Sequence, residues 1–339
     1  MESGLATPLA DGRAPPRLAR LARFACVGFG LALGLYLVRG VGFARVAETL
    51  SEARAWVPVL VLLELAIVAA DAFAAGTLLR GTAGIPSAAA DHPPRGAASL
   101  FAWIRASALA NACAQFLPAG RAAGEAARGA TLAPYFGTPR VVAAFARLQA
   151  CSLLGTATAS LVLAALVGLL ATGSRALAPL LLGNALLCAA VGGGIFLVIR
   201  SARPGTWLHR VLTRFVPSAK PGASPSRRAS AQAVGLCTLG RVVQGIQYGV
   251  AVLAVGGMFS LTSAATSDGI HLVGASGGDL MPNQVGAMEA AYRYFAEPLG
   301  FGEAPARALS IAVLMHGVQV GVALIGLMAA GVLPRGERP

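Results

Sequence analysis

Apolar residues gather along this chain in long unbroken stretches, not in the one-sided stripes of helices that rest on a soluble core. Six such stretches lie at about 24–40, 56–79, 141–172, 177–199, 233–258 and 306–333. A helix needs about 20 predominantly apolar residues to cross the hydrocarbon core of a bilayer, so each predicts a membrane span. Two further apolar regions, near 99–118 and 268–283, are shorter and broken by proline, glycine and polar residues. The pattern predicts an all-α fold. It is a single integral membrane domain over 1–339, a polytopic helix bundle of about six full spans. A basic tail at 1–23 and a basic loop at 200–230 stand outside the apolar stretches.

Composition agrees with this reading. Of the 339 residues, 56% are hydrophobic and only 12% charged, against about 25% charged in a soluble domain. The formal net charge of +13 raises nucleic acid as a partner. The arginines, however, lie between and beside the apolar stretches, where topology and anionic lipid headgroups explain them better. Nucleic acid is therefore not expected as a partner. Cys26, Cys113, Cys151, Cys188 and Cys237 are scattered without a C-x-x-C pair and read as small apolar packing residues. No cofactor is expected, and no metal site. Arg13, Arg17, Arg20 and Arg23 precede the first stretch as they would in a signal peptide. No small-x-small cleavage site follows, so an uncleaved first span is expected.

The positive-inside rule orients the chain. The segment 200–228 carries Arg200, Arg203, Arg210, Arg214, Lys220, Arg227 and Arg228 with no acid, which places it in the cytoplasm. The N-terminal arginines, and Arg335 and Arg338, belong on the same side. The expected location is a bacterial-type inner (plasma) membrane with both termini cytoplasmic. Counting spans inward from these anchors returns 99–118 to the side it started from, and leaves 263–303 outside with its apolar part dipping in. Residues 39–55 fall outside as a connection. Irregular backbone survives at membrane depth only where protein or a water-filled cavity satisfies it. Two re-entrant broken-helix segments from opposite faces thus imply a central polar cavity.

The polar ends of those segments look alike. Residues 117–128 read L-P-A-G-R-A-A-G-E-A-A-R, and 281–293 read M-P-N-Q-V-G-A-M-E-A-A-Y-R. In both, proline is followed seven residues later by Glu-Ala-Ala and then by arginine. Proline suits a first helical turn, which puts each glutamate about two turns along a short helix. Alanine-rich chains also produce such strings by chance, but opposite topology suits an inverted repeat, a recurrent transporter design.

The same residues resemble a flippase-like family represented by the transmembrane domain of lysylphosphatidylglycerol synthases. Asn111, Pro118, Gly120, Arg121, Gly124, Glu125 and Arg128 resemble that family's N…LP.r.GE..R segment. Arg147, after the turn at 136–139, resembles its following arginine helix. Pro282, Gly286 and Glu289, followed by Leu299 and Gly300, look like its P.pGG.G..E…lG segment. Asn283 and Gln284 stand where the family commonly has a Pro-Gly turn, Ala146 where it has glutamate, and His316 where it usually has arginine. The resemblance implies a lipid flippase-like transporter. The chain ends a few residues after the last span, so a soluble synthase domain is not expected and the reading leans away from an enzyme. The alternatives are a membrane enzyme transferring a group to or from a lipid carrier, and a non-transporting assembly factor.

A charge at the bilayer centre costs about 2.5–3.5 kcal/mol or more on insertion scales, so each one asks for a reason. Glu125 with Arg128, and Glu289 with Arg293, lead the candidates. Arg121 and Arg128 are placed to hold a lipid phosphate in the two-donor fork of guanidinium. The bland alternative is a set of helix-end ion pairs. Glu64 and Asp71, seven residues apart, share one face of the second span, as a proton or cation relay or as partners for Arg105 and Arg147. Arg241, Gln244 and Gln247 repeat at helical spacing and read as structural pairing, and His316 reads as packing. Asp268, His271 and Asp279 form a loose group whose spacing specifies no metal. The expected substrate-binding set is Asn111, Pro118, Arg121, Gly124, Glu125, Arg128, Arg147, Pro282, Gly286, Glu289 and Arg293. The expected partners are membrane lipids with anionic headgroups, and a homo-oligomer is allowed.

Cysteine-accessibility labelling checks the topology. Positions 200–228 and both termini label from the cytoplasm and positions 284–303 from outside. Labelling of 85–95 and 125–138 from opposite faces would make 99–118 a true span.

Overall fold

The computed structural model describes residues 32–82, 98–117, 120–170, 176–201, 226–278 and 281–332. They form helices α1 (Ala32–Val41), α2 (Phe43–Ala53), α3 (Val57–Gly81), α4 (Leu100–Phe116), α5 (Gly120–Phe136), α6 (Thr138–Leu170), α7 (Leu177–Ser201), α8 (Arg227–Ala254), α9 (Leu261–Gly278), α10 (Ala287–Tyr294) and α11 (Pro305–Val332). Short 3-10 turns at Arg54–Trp56, Pro282–Gln284 and Glu297–Leu299 join some of them.

Five helical stretches are long and apolar enough to cross a membrane: Phe43–Gly81, Arg140–Leu170, Leu177–Val198, Arg227–Ala254 and Pro305–Val332. They match five of the six expected spans. The sixth, 24–40, begins outside the described residues, and α1 is its described part. The tail 1–23 and most of the loop 200–230 also lie outside them. Large apolar side chains stand open on the outer surface, among them Leu169 at 83%, Leu62 at 65% and Met328 at 65% exposure. A water-soluble surface rarely tolerates such a belt, whereas lipid tails cover it at no cost.

Two boundaries differ from the sequence reading. Residues 39–55 are not a plain connection. The chain turns at Gly42, whose φ of 103° suits glycine, and then forms α2. That helix buries Val46, Thr49 and Ala53 while Arg45, Glu48 and Glu52 stay exposed, and it packs on α11. Its charges sit on one face of an amphipathic helix. The broken segment expected at 268–283 begins earlier, at Leu261, because the polar residues of α9 (Ser267, Asp268 and His271) are buried among protein partners.

The interior is divided. One apolar cluster joins Leu60, Leu181, Tyr248, Ile270, Tyr292 and Met315, and a second joins Leu78, Leu132, Val141 and Leu148. Helix α3 packs along α8, α6 along α7, and α4 along both α5 and α11. Two helical hairpins join these clusters, α9–α10 the first through Ile270 and Tyr292, and α4–α5 the second through Ala106 and Leu132.

Both hairpins close on small residues. A Cβ added to Gly120 would lie 2.0 Å from the Ala114 carbonyl oxygen, and one on Gly124 would lie 2.6 Å from that of Ala110. In the second hairpin, Cβ atoms on Gly278 and Gly274 would meet the Cβ atoms of Ala287 at 3.0 Å and Ala291 at 3.2 Å. Glycines four apart facing alanines four apart let two backbones come together where lipid supplies no hydrophobic drive. The hairpin tips converge: Gly120 and Arg121 of the first, and Met281, Asn283 and Gln284 of the second, line one cavity. Asn283 and Gln284 have left-handed φ values of 48° and 57°. Glycine takes that conformation easily and other residues hold it at a cost of about 1–2 kcal/mol each, so tertiary packing supports the turn.

Gly124→Ala is expected to destabilise the bundle by about 1–3 kcal/mol, because the methyl group meets a backbone oxygen. Gly183→Ala, where nothing lies within 4 Å of the added atom, is neutral or stabilising by up to about 1 kcal/mol from helix propensity. Unfolding midpoints of the purified variants check the opposite signs.

Candidate functional site

A cavity of about 500 Å³ occupies the centre of the bundle. Helix α3 contributes Glu64 and Asp71, and their seven-residue spacing does bring both to this space. Their partners are not Arg105 or Arg147. Asp71 Oδ2 accepts from Arg128 Nη2 at 2.5 Å, while Glu125 Oε1 lies 3.3 Å from Arg128 Nη1. Glu64 Oε2 accepts from Gln247 Nε2 at 3.0 Å, and the same amide nitrogen donates to the Leu60 carbonyl.

Arg128 is thus held between two acids. It is 3% exposed, and burying a guanidinium demands compensation. Asp71 comes from another helix, so the pair anchors the first hairpin to α3. Glu125 precedes Arg128 by three positions and shares its helix face. Arg128 Nε and Glu125 Oε2 have no hydrogen-bond partner, so the triad keeps unused polar capacity.

Other expected residues divide between cavity and scaffold. Asn111, Arg121 and Gly124 line the cavity, and Arg121 Nη1 donates to Ser152 Oγ at 3.2 Å. Arg147 does not line it. Its Nε donates to Ser230 Oγ at 3.2 Å and its guanidinium lies 4.5 Å from the Phe196 ring centre, so it joins α6 to α7 and α8. Pro118 and Asp279 fall outside the described residues.

The second motif is built differently from the first. Pro282 opens a three-residue 3-10 turn and not the helix that carries Glu289. Gly286, at φ 89°, then breaks the chain, and α10 starts anew at Ala287. Glu289 therefore lies in the first turn and not two turns along. Its Oε2 accepts the Gly286 N–H at 2.7 Å, and its Oε1 lies 3.3 Å from His316 Nε2. Arg293 is exposed and points toward Gly40 of α1. Neither Glu289 nor Arg293 lines the cavity. His316, in a region where arginine was expected, partners the glutamate.

The sequence reading left Arg241 and Gln244 out of the site, yet both line the cavity from α8. Arg241 Nη1 donates to Gln244 Oε1 at 2.5 Å, and Gln244 Nε2 meets His271 Nε2 at 2.8 Å. Because the amide oxygen accepts from arginine, its nitrogen donates, and His271 Nε2 must accept. The ring proton then sits on Nδ1, facing the Tyr248 hydroxyl at 2.7 Å, with Tyr248 stacked 4.5 Å away. This chain holds Arg241 in place. The signal available beforehand was an R-x-x-Q pair inside an apolar helix.

Beside the polar cavity lies a groove of about 600 Å³ between α5 and α6. Ala126, Gly129, Ala130, Val141 and Phe145 make most of its wall. Ala122, Glu125 and Gln149 line both spaces, so a cavity lined by charged and amide side chains adjoins a mostly apolar groove.

Removing Asp71 by Asp71→Ala is expected to cost about 3–5 kcal/mol, the penalty of leaving a buried charge uncompensated. Glu125→Ala should cost less, since its contact with Arg128 is longer. A double-mutant cycle on unfolding free energies should give Asp71 and Arg128 the larger coupling.

Comparison with known proteins adds the last observation. The family model of the lysylphosphatidylglycerol synthase TM region matches residues 21–326. No curated protein and no solved structure matches the chain. The match takes in the bundle, both hairpins and every lining residue named above. The chain belongs to the lysylphosphatidylglycerol synthase TM region family, a multi-pass membrane protein linked to lipid handling.

Proposed function

We propose that the protein is a flippase-like transporter that binds an amphipathic lipid at the central cavity and moves its headgroup across the bilayer. The observation that carries this reading is the adjoining pair of spaces. A polar cavity at the meeting point of two hairpin tips opens, through Ala122, Glu125 and Gln149, onto an apolar groove. A soluble ion needs no such groove, and a simple hydrocarbon needs no such cavity. Two hairpins whose tips line one cavity also suit alternating access, in which one repeat rocks against the other around a central site. The proposed setting is a bacterial-type inner membrane, by the arginine distribution.

The enzyme reading requires an acid free to act near a headgroup. Glu125 is engaged by Arg128, and Glu289 by His316 and the Gly286 N–H. Glu125 Oε2 keeps no hydrogen-bond partner, so Glu125 is the acid such an enzyme would use.

Reconstituted vesicles carrying fluorescent headgroup-labelled lipid test the reading. Purified protein should make the inner-leaflet label accessible to an external quencher, with lipid mass unchanged. A new lipid species by mass spectrometry would instead establish group transfer. Arg128→Lys keeps the charge but loses the planar fork that reaches both Asp71 and Glu125, so it should slow the movement by about tenfold at equal protein level.

A further inference from the structure

Three acids line the cavity, Glu64, Asp71 and Glu125, and they are not held alike. Asp71 and Glu125 both face Arg128. Glu64 makes no ion pair among the described residues. Its hydrogen bond runs to a neutral amide, with Oε2 accepting from Gln247 Nε2 at 3.0 Å. The side chain sits in a membrane-spanning helix and the residue is 6% exposed. A full negative charge at such a place asks for a cation or several donors. The protein gives Glu64 one N–H.

The direction of that amide is settled by its other contact. Gln247 Nε2 also donates to the Leu60 carbonyl at 3.0 Å, and a carbonyl can only accept. Both amide hydrogens are therefore spent on oxygens, and Gln247 Oε1 has no hydrogen-bond partner. Glu64 Oε2 accepts whether the group is an acid or its anion, which leaves Oε1 as the oxygen that takes a proton. One bond serves both forms, so a proton comes and goes without repacking α8 against α3.

The other groups around the space are engaged or neutral. Arg121 bonds Ser152, and Arg241 bonds Gln244. His271 lies between Gln244 and Tyr248. The thiols of Cys188 and Cys237 line the wall, and α4, α6 and α11 present neutral Asn111, Gln149 and Gln319. His316 of α11 is turned to Glu289. Asp268 is a second buried acid without an ion pair, but it does not line the cavity, so the cavity gives it no proton path.

We propose that Glu64 is a proton-binding site that couples movement of the amphiphile to a transmembrane proton gradient. Its carboxylate takes a proton from one aqueous side, forming the Oε1–H bond. It returns that proton to the other side after the cavity has changed the face to which it opens. Asp71, two turns along the same face of α3, ties the helix to the first hairpin through Arg128. The proton site and the hairpin are thus joined by one rigid helix. This inference rests on the transport reading above. Proton and amphiphile share one cavity, so each changes the affinity for the other by the same factor.

The test uses the full chain in phosphatidylcholine vesicles, with two readouts. Infrared difference spectroscopy reads the C=O stretch of protonated carboxyls, and Glu64→Gln assigns the band. That substitution keeps an oxygen to accept from Gln247, so protein level and unfolding midpoint should stay as in the wild type. A band is expected that is missing in Glu64→Gln, shifts in heavy water and bleaches as the pH is raised. Quenching of headgroup-labelled phosphatidylethanolamine reads movement between leaflets. A pH step across wild-type vesicles should change its initial rate by about fivefold or more, the lower end of coupling between sites. Glu64→Gln should move the label at equal pH yet lose the response to the step. Glu297→Gln, an exposed site, should alter neither readout. The absence of a Glu64 band, a band that never bleaches, or one lost on adding sodium at fixed pH would overturn the proton site. A wild-type rate indifferent to the step, or an undiminished response in Glu64→Gln, would overturn the coupling while the transport reading stood. A Glu64 band without label movement in wild-type vesicles would overturn the transport reading and the coupling together.

Discussion

The structure depends on how one buried charge is satisfied. Arg128 lies inside a bundle whose outer surface is apolar, and at 3% exposure it depends on protein partners for its charge. Asp71 on α3 and Glu125 on its own helix neutralise it. Because Asp71 belongs to another element, the pair sets the depth and rotation of α3 against the first hairpin. With that rotation set, Glu64 two turns earlier on the same face of α3 reaches Gln247 on α8. The polar cavity is the space these contacts enclose.

A second constraint shapes the hairpins. Apolar side chains gain nothing from each other over lipid, so helices in this setting associate by close backbone approach and buried polar contacts. Gly120 and Gly124 against Ala114 and Ala110, and Gly274 and Gly278 against Ala291 and Ala287, supply the approach in both halves. The polar contacts have diverged. The first half sets an arginine between two acids, and the second sets Glu289 against His316 and a helix N-terminus. The two halves therefore share a packing scheme and differ in their polar contacts.

Function, on the reading offered above, follows from placing these parts side by side. An amphiphile presents a polar head and apolar chains in one molecule, and the polar cavity and the α5–α6 groove are joined at Ala122, Glu125 and Gln149. The extended network from Tyr248 to Arg241 keeps a guanidinium in position without quenching it, since its partners are neutral. Preorganised donors of this kind lower the ordering cost of binding.

The amino-acid sequence alone determined the class of fold, five of the spans, the two broken segments and the pairing of Glu125 with Arg128. Those features rest on local quantities: apolar run length, helix-breaking residues, and charges too costly to leave unexplained in lipid. The same local signals left residues 39–55 as a connection, where the structure forms the amphipathic helix α2. They started α9 too late, because polar residues such as Ser267 and His271 look like a break until their partners are seen. Tertiary structure decided the pairings. Asp71 meets Arg128 across 57 positions and Gln247 meets Glu64 across 183; no helical period encodes such separations. It also decided that Arg147 joins helices outside the cavity, that Arg293 points toward α1, and that Arg241 faces the cavity bonded to the neutral amide of Gln244. A charge's role in a membrane bundle is set by the partner that reaches it, and partners come from whichever helices pack alongside.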